Sequence, residues 1–290
     1  MKPAPFAFAR PASLAEALET LAANPDAKVL AGGQSLIPLL SMRLASPSMI
    51  VDINGIAELD YVRSSDDGVH VGALARHSHV EGDQDAARAQ PLLRQALRLV
   101  AHPTIRNRGT TVGSLVHADA SAEMPAVLTL LGGRVSTAST TGRRDIAAED
   151  LYVGPMESSL RPGEVAVEAF FPALLPGSGT ACDELSRRQG DYALCGVAAL
   201  VTVDADAVTS VRAGYFSVCE VPTVVDLTPA FGSGDVTEGA LTEAGELALA
   251  GLDPDDDIHA TAAYRRQLVR TLTKRVVTAA HADAVRRSAS

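Results

Sequence analysis

Apolar positions change their spacing repeatedly along the chain, and each change marks an element. Pro3 to Pro11 has no helical spacing and predicts an extended lead-in. Ser13 with Glu16 three residues on has the form of a capping box, and Leu14, Leu18 and Leu21 then share one helical face. Asn24-Pro25-Asp26 closes that helix. Lys28–Ala31 predicts a strand, Leu36–Leu44 a short helix ended by Ser46-Pro47, and Ile50–Ile53 a second strand. Tyr61-Val62-Arg63 and Val69–Ala73 alternate like a hairpin around Ser65–Gly68. Residues 91–100 predict a helix with Leu92, Leu93, Leu97 and Val100 inward, stopped by His102-Pro103.

The segment 104–123 has no clear period and is rich in Gly, Thr, Ser, Asp and His, so it reads as a long functional loop. Pro125–Leu131 predicts a helix, Arg134–Ser136 and Ile146 strands, and Arg161-Pro162-Gly163 a turn into a strand over Glu164–Phe170. Pro172–Gly179, with two prolines and two glycines, is the best domain boundary. Beyond it, Gly196–Val203 and Val208–Ser217 predict a hairpin about Asp204–Asp206. Helices follow over 237–251 and 259–282, the second with Tyr264, Leu268, Leu272 and Val276 at helical spacing. The C-terminal part therefore reads as a small sheet with helices on one side and a frayed tail over 286–290.

Composition narrows the class. The 290 residues are 47% hydrophobic, enough for a sizeable core and more than one domain. A net charge of −10 with no basic stripe argues against nucleic acid as the main partner. Cys182, Cys195 and Cys219 lack C-x-x-C spacing, so no zinc or iron–sulfur site is expected and no metal ligand is named. Reduced thiols, no signal peptide and no long apolar run predict a cytoplasmic protein that does not span a membrane.

Two stretches carry candidate chemistry. In Ala31-Gly32-Gly33-Gln34-Ser35-Leu36 paired glycines follow a strand, so the backbone can bend and offer several amides to an anionic group. An ordinary tight turn fits the same residues. In the second stretch, Arg108 to Glu123, the hydroxyls of Thr110, Thr111 and Ser114 can donate to phosphate oxygens. Gly113 there permits close backbone approach, and Asp119 and Glu123 can accept from sugar hydroxyls. A solvated loop with Asp119 capping a helix near Ala122 fits equally. Motifs for the common dinucleotide folds, P-loops, zincins and serine hydrolases are absent from the sequence.

These stretches, with Leu160-Arg161-Pro162-Gly163-Glu164, Ser186 to Ala193 and Tyr264-Arg265-Arg266, occur in an order that resembles the FAD-binding medium subunit of molybdenum hydroxylases. That family includes aerobic carbon monoxide dehydrogenase, quinoline and nicotine oxidoreductases and the flavin domain of xanthine dehydrogenase. The resemblance covers almost the whole chain. It implies an α+β fold: a PCMH/VAO-type FAD-binding domain of two α/β subdomains, residues 1–57 and 58–175. A C-terminal domain over 178–290 follows, with a three-stranded antiparallel sheet and helices.

The resemblance also implies a cofactor, FAD, and places its contacts. Ala31 to Leu36 would wrap the pyrophosphate; Thr110, Thr111, Gly113, Ser114 and His117 would line the flavin and diphosphate. Glu123 would hold the adenosine ribose, and Asp119 would lie near the flavin. Ala101 and Leu160 would pack on the cofactor and Tyr192 would stand near the isoalloxazine; a core tyrosine is the other reading for Tyr192. The implied partners are a large molybdopterin subunit and a small [2Fe–2S] subunit, in a dimer of heterotrimers that delivers electrons to an external acceptor. No residue of this chain is assigned acid–base catalysis, since the chemistry is the cofactor's. A stand-alone flavoprotein oxidoreductase and a flavin-less scaffold are the competing readings. Where the family's second loop usually reads Thr-Ile-Gly-Gly, this chain has Thr110-Thr111-Val112-Gly113, so the turn either differs or needs no positive φ there.

Overall fold

The computed structural model describes residues 2–205 and 207–289. The extended lead-in contains a strand, β1 (Ala7–Ala9), which joins β2 (Lys28–Leu30) and β3 (Met49–Asp52) in a parallel sheet ordered β1-β3-β2. Helix α1 (Leu14–Ala23) buries Ala17, Leu18 and Leu21, and α2 (Leu36–Met42) buries Leu40. Ser13 caps α1 by accepting the Glu16 amide at 3.2 Å. Glu16 reaches back to the amide of Ala12 at 2.8 Å, one residue before the position of a regular capping box.

A five-stranded antiparallel sheet follows, ordered β4-β5-β10-β6-β7. Its strands are β4 (Val62–Ser65), β5 (Gly68–Gly72), β6 (Arg134–Ser139), β7 (Gly142–Ala147) and the central β10 (Val165–Pro172). Short helices fill the long connection between β5 and β6: α3 (His77–Gly82), α4 (Gln84–Ala89), α5 (Pro91–Leu97), α6 (Pro103–Arg106), α7 (Thr111–His117) and α8 (Glu123–Leu131). A one-turn helix α9 (Ala148–Leu151) and a small hairpin of β8 (Tyr152–Gly154) and β9 (Glu157–Ser158) precede β10.

Two expectations change here. The helix expected over 91–100 ends at Leu97; Pro103 does not stop it but opens α6, where its missing N–H costs nothing. The segment 104–123 is not a loop either. Thr110 caps α7 by accepting the Gly113 amide at 3.2 Å, and Val112 and Leu115 point into the core. Valine sits in the first turn of that helix without a positive φ, so the missing glycine is no obstacle.

The C-terminal sheet has four strands, not three: β11 (Ser178–Ser186), β12 (Ala193–Asp204), β13 (Ala207–Phe216) and β14 (Thr223–Asp226), antiparallel in that order. Asp206, expected in the hairpin turn, lies outside the described residues. Helices α10 (Glu238–Ala250) and α11 (Ala262–Ser288) cover one face; Tyr215 on β13 bonds Thr273 of α11 at 2.8 Å in the core. The sequence places helices on one side only, but the opposite face lies under α8. A Cβ on Gly214 would stand 3.1 Å from the Ala126 carbonyl and 3.2 Å from Leu130 Cβ. Burial on both faces is why β12 reads as a continuous apolar run rather than an alternating one.

Within α11, Leu268, Leu272 and Val276 are buried, whereas Tyr264 is exposed. The tail does not fray at 286: the helix runs to Ser288, with Arg286 and Arg287 both paired to the buried carboxylate of Asp283. Ser290, the last residue of that expected tail, lies outside the described residues.

Candidate functional site

The loop between β2 and α2 is built around glycines. Gly33 has φ +74°, which a side chain rarely tolerates, and Gly32 has no room for one. A Cβ on Gly32 would lie 2.6 Å from the Arg108 carbonyl oxygen and 2.8 Å from Gly109 Cα. The first glycine loop and the start of the second stretch thus touch backbone to backbone. Among the described residues, the amides of Gly32, Gly33, Gln34, Ser35 and Leu36 donate no hydrogen bond within the chain. Their carbonyls are better satisfied: Gly33 accepts Ile37 at 3.1 Å, Ser35 accepts Leu39 at 3.2 Å, and Gly32 accepts the Gln34 side chain at 3.1 Å. Free donors with occupied acceptors make a surface suited to an anion.

A side-chain bridge holds the two loops together. Asn54 Nδ2 donates to the Ala31 carbonyl at 2.8 Å, and Asn54 Oδ1 accepts Arg76 Nη2 at 2.6 Å. Arg76 Nη1 then donates to the Arg108 carbonyl at 2.9 Å. Neither residue belongs to a sequence motif, and both were missed by sequence reading. The visible signals were Asp52-Ile53-Asn54, an Asx turn directly after a strand, and an arginine directly before α3.

The second stretch divides its labour. Thr111 does not face the cleft: it is fully buried and bonds His77 Nδ1 at 3.2 Å. Thr110 is 3% exposed and its hydroxyl oxygen is engaged by the helix cap. Gly113 is required for that cap, since a Cβ there would lie 2.5 Å from Thr110 Oγ1. Ser114 and His117, one turn apart on α7, are half-buried and make no side-chain hydrogen bond among the described residues. His77 forms part of the floor: its amide donates to the Gly109 carbonyl at 2.9 Å, and burial pulls its pKa from 6.5 down to about 4. It is neutral at pH 7.

Ala101 sits at φ +42°, a strained conformation for a residue with a Cβ. Arg106 holds it there, donating from Nη1 to the Val100 and Ala101 carbonyls at 2.9 and 3.2 Å while pairing with Glu81 at 2.8 Å. The neighbouring His102 ring is where the third segment lands: Gly190, at φ +86°, lies under it. Tyr192 is 65% exposed, which removes its reading as a core tyrosine. Desolvation of its hydroxyl end and the negative charge of nearby Asp119 push the phenol pKa up to about 12. Asp119 does not cap α8; its Oδ1 accepts the Ser121 amide at 2.9 Å, and α8 starts without a side-chain cap. Buried Arg265 fixes the strand beyond Tyr192, donating to the Leu194 carbonyl at 3.1 Å and to Asp257 at 2.8 Å.

Glu123 opens α8, and burial raises its carboxyl pKa to about 7. Glu184, a residue sequence reading missed, comes from β11 on the face that α8 covers. Its pKa rises to about 8 through burial and the Glu123 charge, and its Oε2 is buried without a partner. These acceptors suit hydroxyl donors of a sugar. Leu160 packs on the first core behind this region, held by the turn that Glu164 pins through the Arg161 amide at 2.8 Å and through Arg144. The structure therefore joins the two glycine loops, the Ala101–His102 turn, Asp119, Glu123 and Tyr192 in one region. Thr111 and Thr110 belong to the support beneath it.

Comparison with known proteins adds independent findings. Residues 4–174 match the family model described as the FAD binding domain in molybdopterin dehydrogenase, and residues 180–280 match the CO dehydrogenase flavoprotein C-terminal domain. The chain is 40% identical to the 6-hydroxypseudooxynicotine dehydrogenase complex subunit alpha of Paenarthrobacter nicotinovorans, over 96% of this chain and 95% of that one. Among solved structures, quinoline 2-oxidoreductase from Pseudomonas putida 86 aligns with a TM-score of 0.92 at 38% identity, over 98% of this chain and 99% of that one. Carbon monoxide dehydrogenase from Hydrogenophaga pseudoflava aligns with a TM-score of 0.93 at 31% identity, with the same coverage.

Proposed function

The chain belongs to the FAD-binding medium subunits of the molybdenum hydroxylases, and from that premise we propose that it relays electrons from a partner's iron–sulfur cluster to an external acceptor. It is an oxidoreductase subunit with FAD as its cofactor. The observation that carries the reading is the junction at Gly32, where two glycine loops meet and leave a row of amides unpartnered. The residues fit the cofactor's parts. Amides of Gly32 to Leu36 would take the diphosphate, with Ser114 and His117 beside it. Glu123 and the unpartnered oxygen of Glu184 would accept from ribose hydroxyls, and Tyr192 would stand by the isoalloxazine. When bound, FAD would supply the redox chemistry that the chain's own side chains lack.

The chain's own contribution is to bind and orient. Among the described residues, no group of three or more His, Cys, Asp and Glu could hold a metal ion. The partners in this reading are a large molybdopterin subunit and a small [2Fe–2S] subunit, arranged as a dimer of heterotrimers in the cytoplasm. No helix of the described residues is long and apolar enough to cross a membrane. We divide the chain into two FAD-binding subdomains, 1–57 and 58–175, and a C-terminal domain from 178. Purification from the native source tests this: flavin absorption bands with molybdenum and iron in two further subunits are expected. A lone, colourless chain would refute it.

A further inference from the structure

Arg76 is half-buried between the two glycine loops, yet its charge has no counter-charge in contact. Its hydrogen bonds go to neutral oxygens, the Arg108 carbonyl and Asn54 Oδ1, and no carboxylate lies within ion-pair distance among the described residues. The carboxylates in its vicinity are engaged elsewhere: Asp52 accepts the amide and side-chain nitrogen of Asn54, and Asp60 faces His79 at 4.0 Å. The charge that acts on it most strongly is another cation, opposed by Asp60 and Asp52. The Arg108 side chain makes no hydrogen bond or ion pair among the described residues, and its charge, after burial, lowers the pKa of Arg76. A chain with ten more negative than positive charges has thus placed two arginines side by side without a carboxylate partner. A desolvated, unpaired cation is costly, and an anion in the adjoining loop would remove the cost.

We propose that Arg76 is the cationic arm of the diphosphate site: set between the loops by Asn54 and the Arg108 carbonyl, its guanidinium takes the cofactor's diphosphate as counter-ion. Asn54 is then a positioning residue, acting on the anion through Arg76 and on the loop through the Ala31 carbonyl. Arg108, on the same side, adds long-range attraction. The inference rests on the FAD reading above and adds to it a charge-specific contact in a loop otherwise made of main-chain amides. The guanidinium suits the task because its planar fork can hold the Arg108 carbonyl and still present N–H groups to phosphate oxygens.

The test titrates full-length, flavin-free protein with FAD, ADP and AMP at low and high salt. The parent is expected to bind ADP more tightly than AMP, with a preference that shrinks as salt rises. Arg76→Gln is expected to lose about tenfold in ADP affinity and most of the salt dependence, with AMP changed less. Arg76→Lys keeps the charge without the fork; it is expected to retain the salt dependence and lose several-fold in affinity, and it carries the test if the glutamine variant does not fold. ADP affinity and salt dependence equal to the parent's in either variant would overturn the proposal, as would equal losses in both. If the parent itself fails to bind FAD, the cofactor reading falls; if parent and glutamine variant bind FAD alike, only the role of Arg76 does.

Discussion

Gly190 lies against the imidazole of His102, so the turn before β12 is seated on the loop that follows α5. A Cβ at Gly190 would stand 2.5 Å from His102 Cε1, at a backbone φ of +86°. This pair joins the C-terminal sheet to the glycine-loop region and fixes where Tyr192, two residues on, can stand.

Gly190→Ala is therefore expected to lower flavin retention and to cost about 1–2 kcal/mol from the left-handed backbone alone. His102 is exposed and can swing away, so Gly190→Ala with His102→Ala should relieve the clash but keep the backbone cost. Thermal melts and flavin-to-protein ratios of the two variants measure this. A double variant restored to parental stability would show that the backbone at 190 carries no strain.

The opening loop gives a sharper contrast. Gly32→Ala drives a methyl into backbone atoms of Arg108 and Gly109, which cannot rotate away, so flavin retention should vanish and stability fall by roughly 3 kcal/mol or more. Gly33→Val meets the side chains of Leu30 and Ile37 and the positive φ, and should abolish FAD retention while leaving the C-terminal domain folded. Flavin occupancy by absorbance, with limited proteolysis to find the surviving domain, checks both. Unchanged occupancy in Gly33→Val would count against the loop's role.

Stability of the flavin-free chain should be greatest near pH 4.5. Between about 4 and 6.5 the unfolded chain protonates His77 while the folded chain does not, so stability drains as pH falls through that window. With His77 4% exposed, the contribution is of order 3 kcal/mol at its full extent. Glu123 and Glu184 act oppositely, holding protons in the folded state, so stability drains as pH rises from 4.5 through about 7 and about 8. Where the windows overlap two glutamates outweigh one histidine, so melting temperatures should fall from about pH 4.5 to about pH 8. His77→Gln should steepen that fall below about pH 6.5 and Glu184→Gln should make it shallower up to about pH 8; an unaltered profile in both would refute the assignment.

Much of this molecule was written locally. The Ser13 cap, the paired glycines after β2, the hairpin of β4 and β5 and the boundary after Pro172 each depend on a few adjacent residues, whose backbone preferences act in any context. Where sequence reading failed, distance in the chain is the reason. Thr110-Thr111-Val112-Gly113 is poor helix material, and α7 exists because Thr110 caps it and the core takes up Val112 and Leu115. Glu184 shows no motif, since only the seating of α8 on the face of the C-terminal sheet, over β12 and β13, buries its carboxyl beside Glu123. The site followed the same division. Glycines and hydroxyls announced an anion-binding loop by themselves. That Gly32 meets Arg108, that Asn54 and Arg76 bridge the loops, and that Gly190 sits on His102 were decided by tertiary structure, because contacts between segments so far apart are fixed by how whole elements bury their apolar faces.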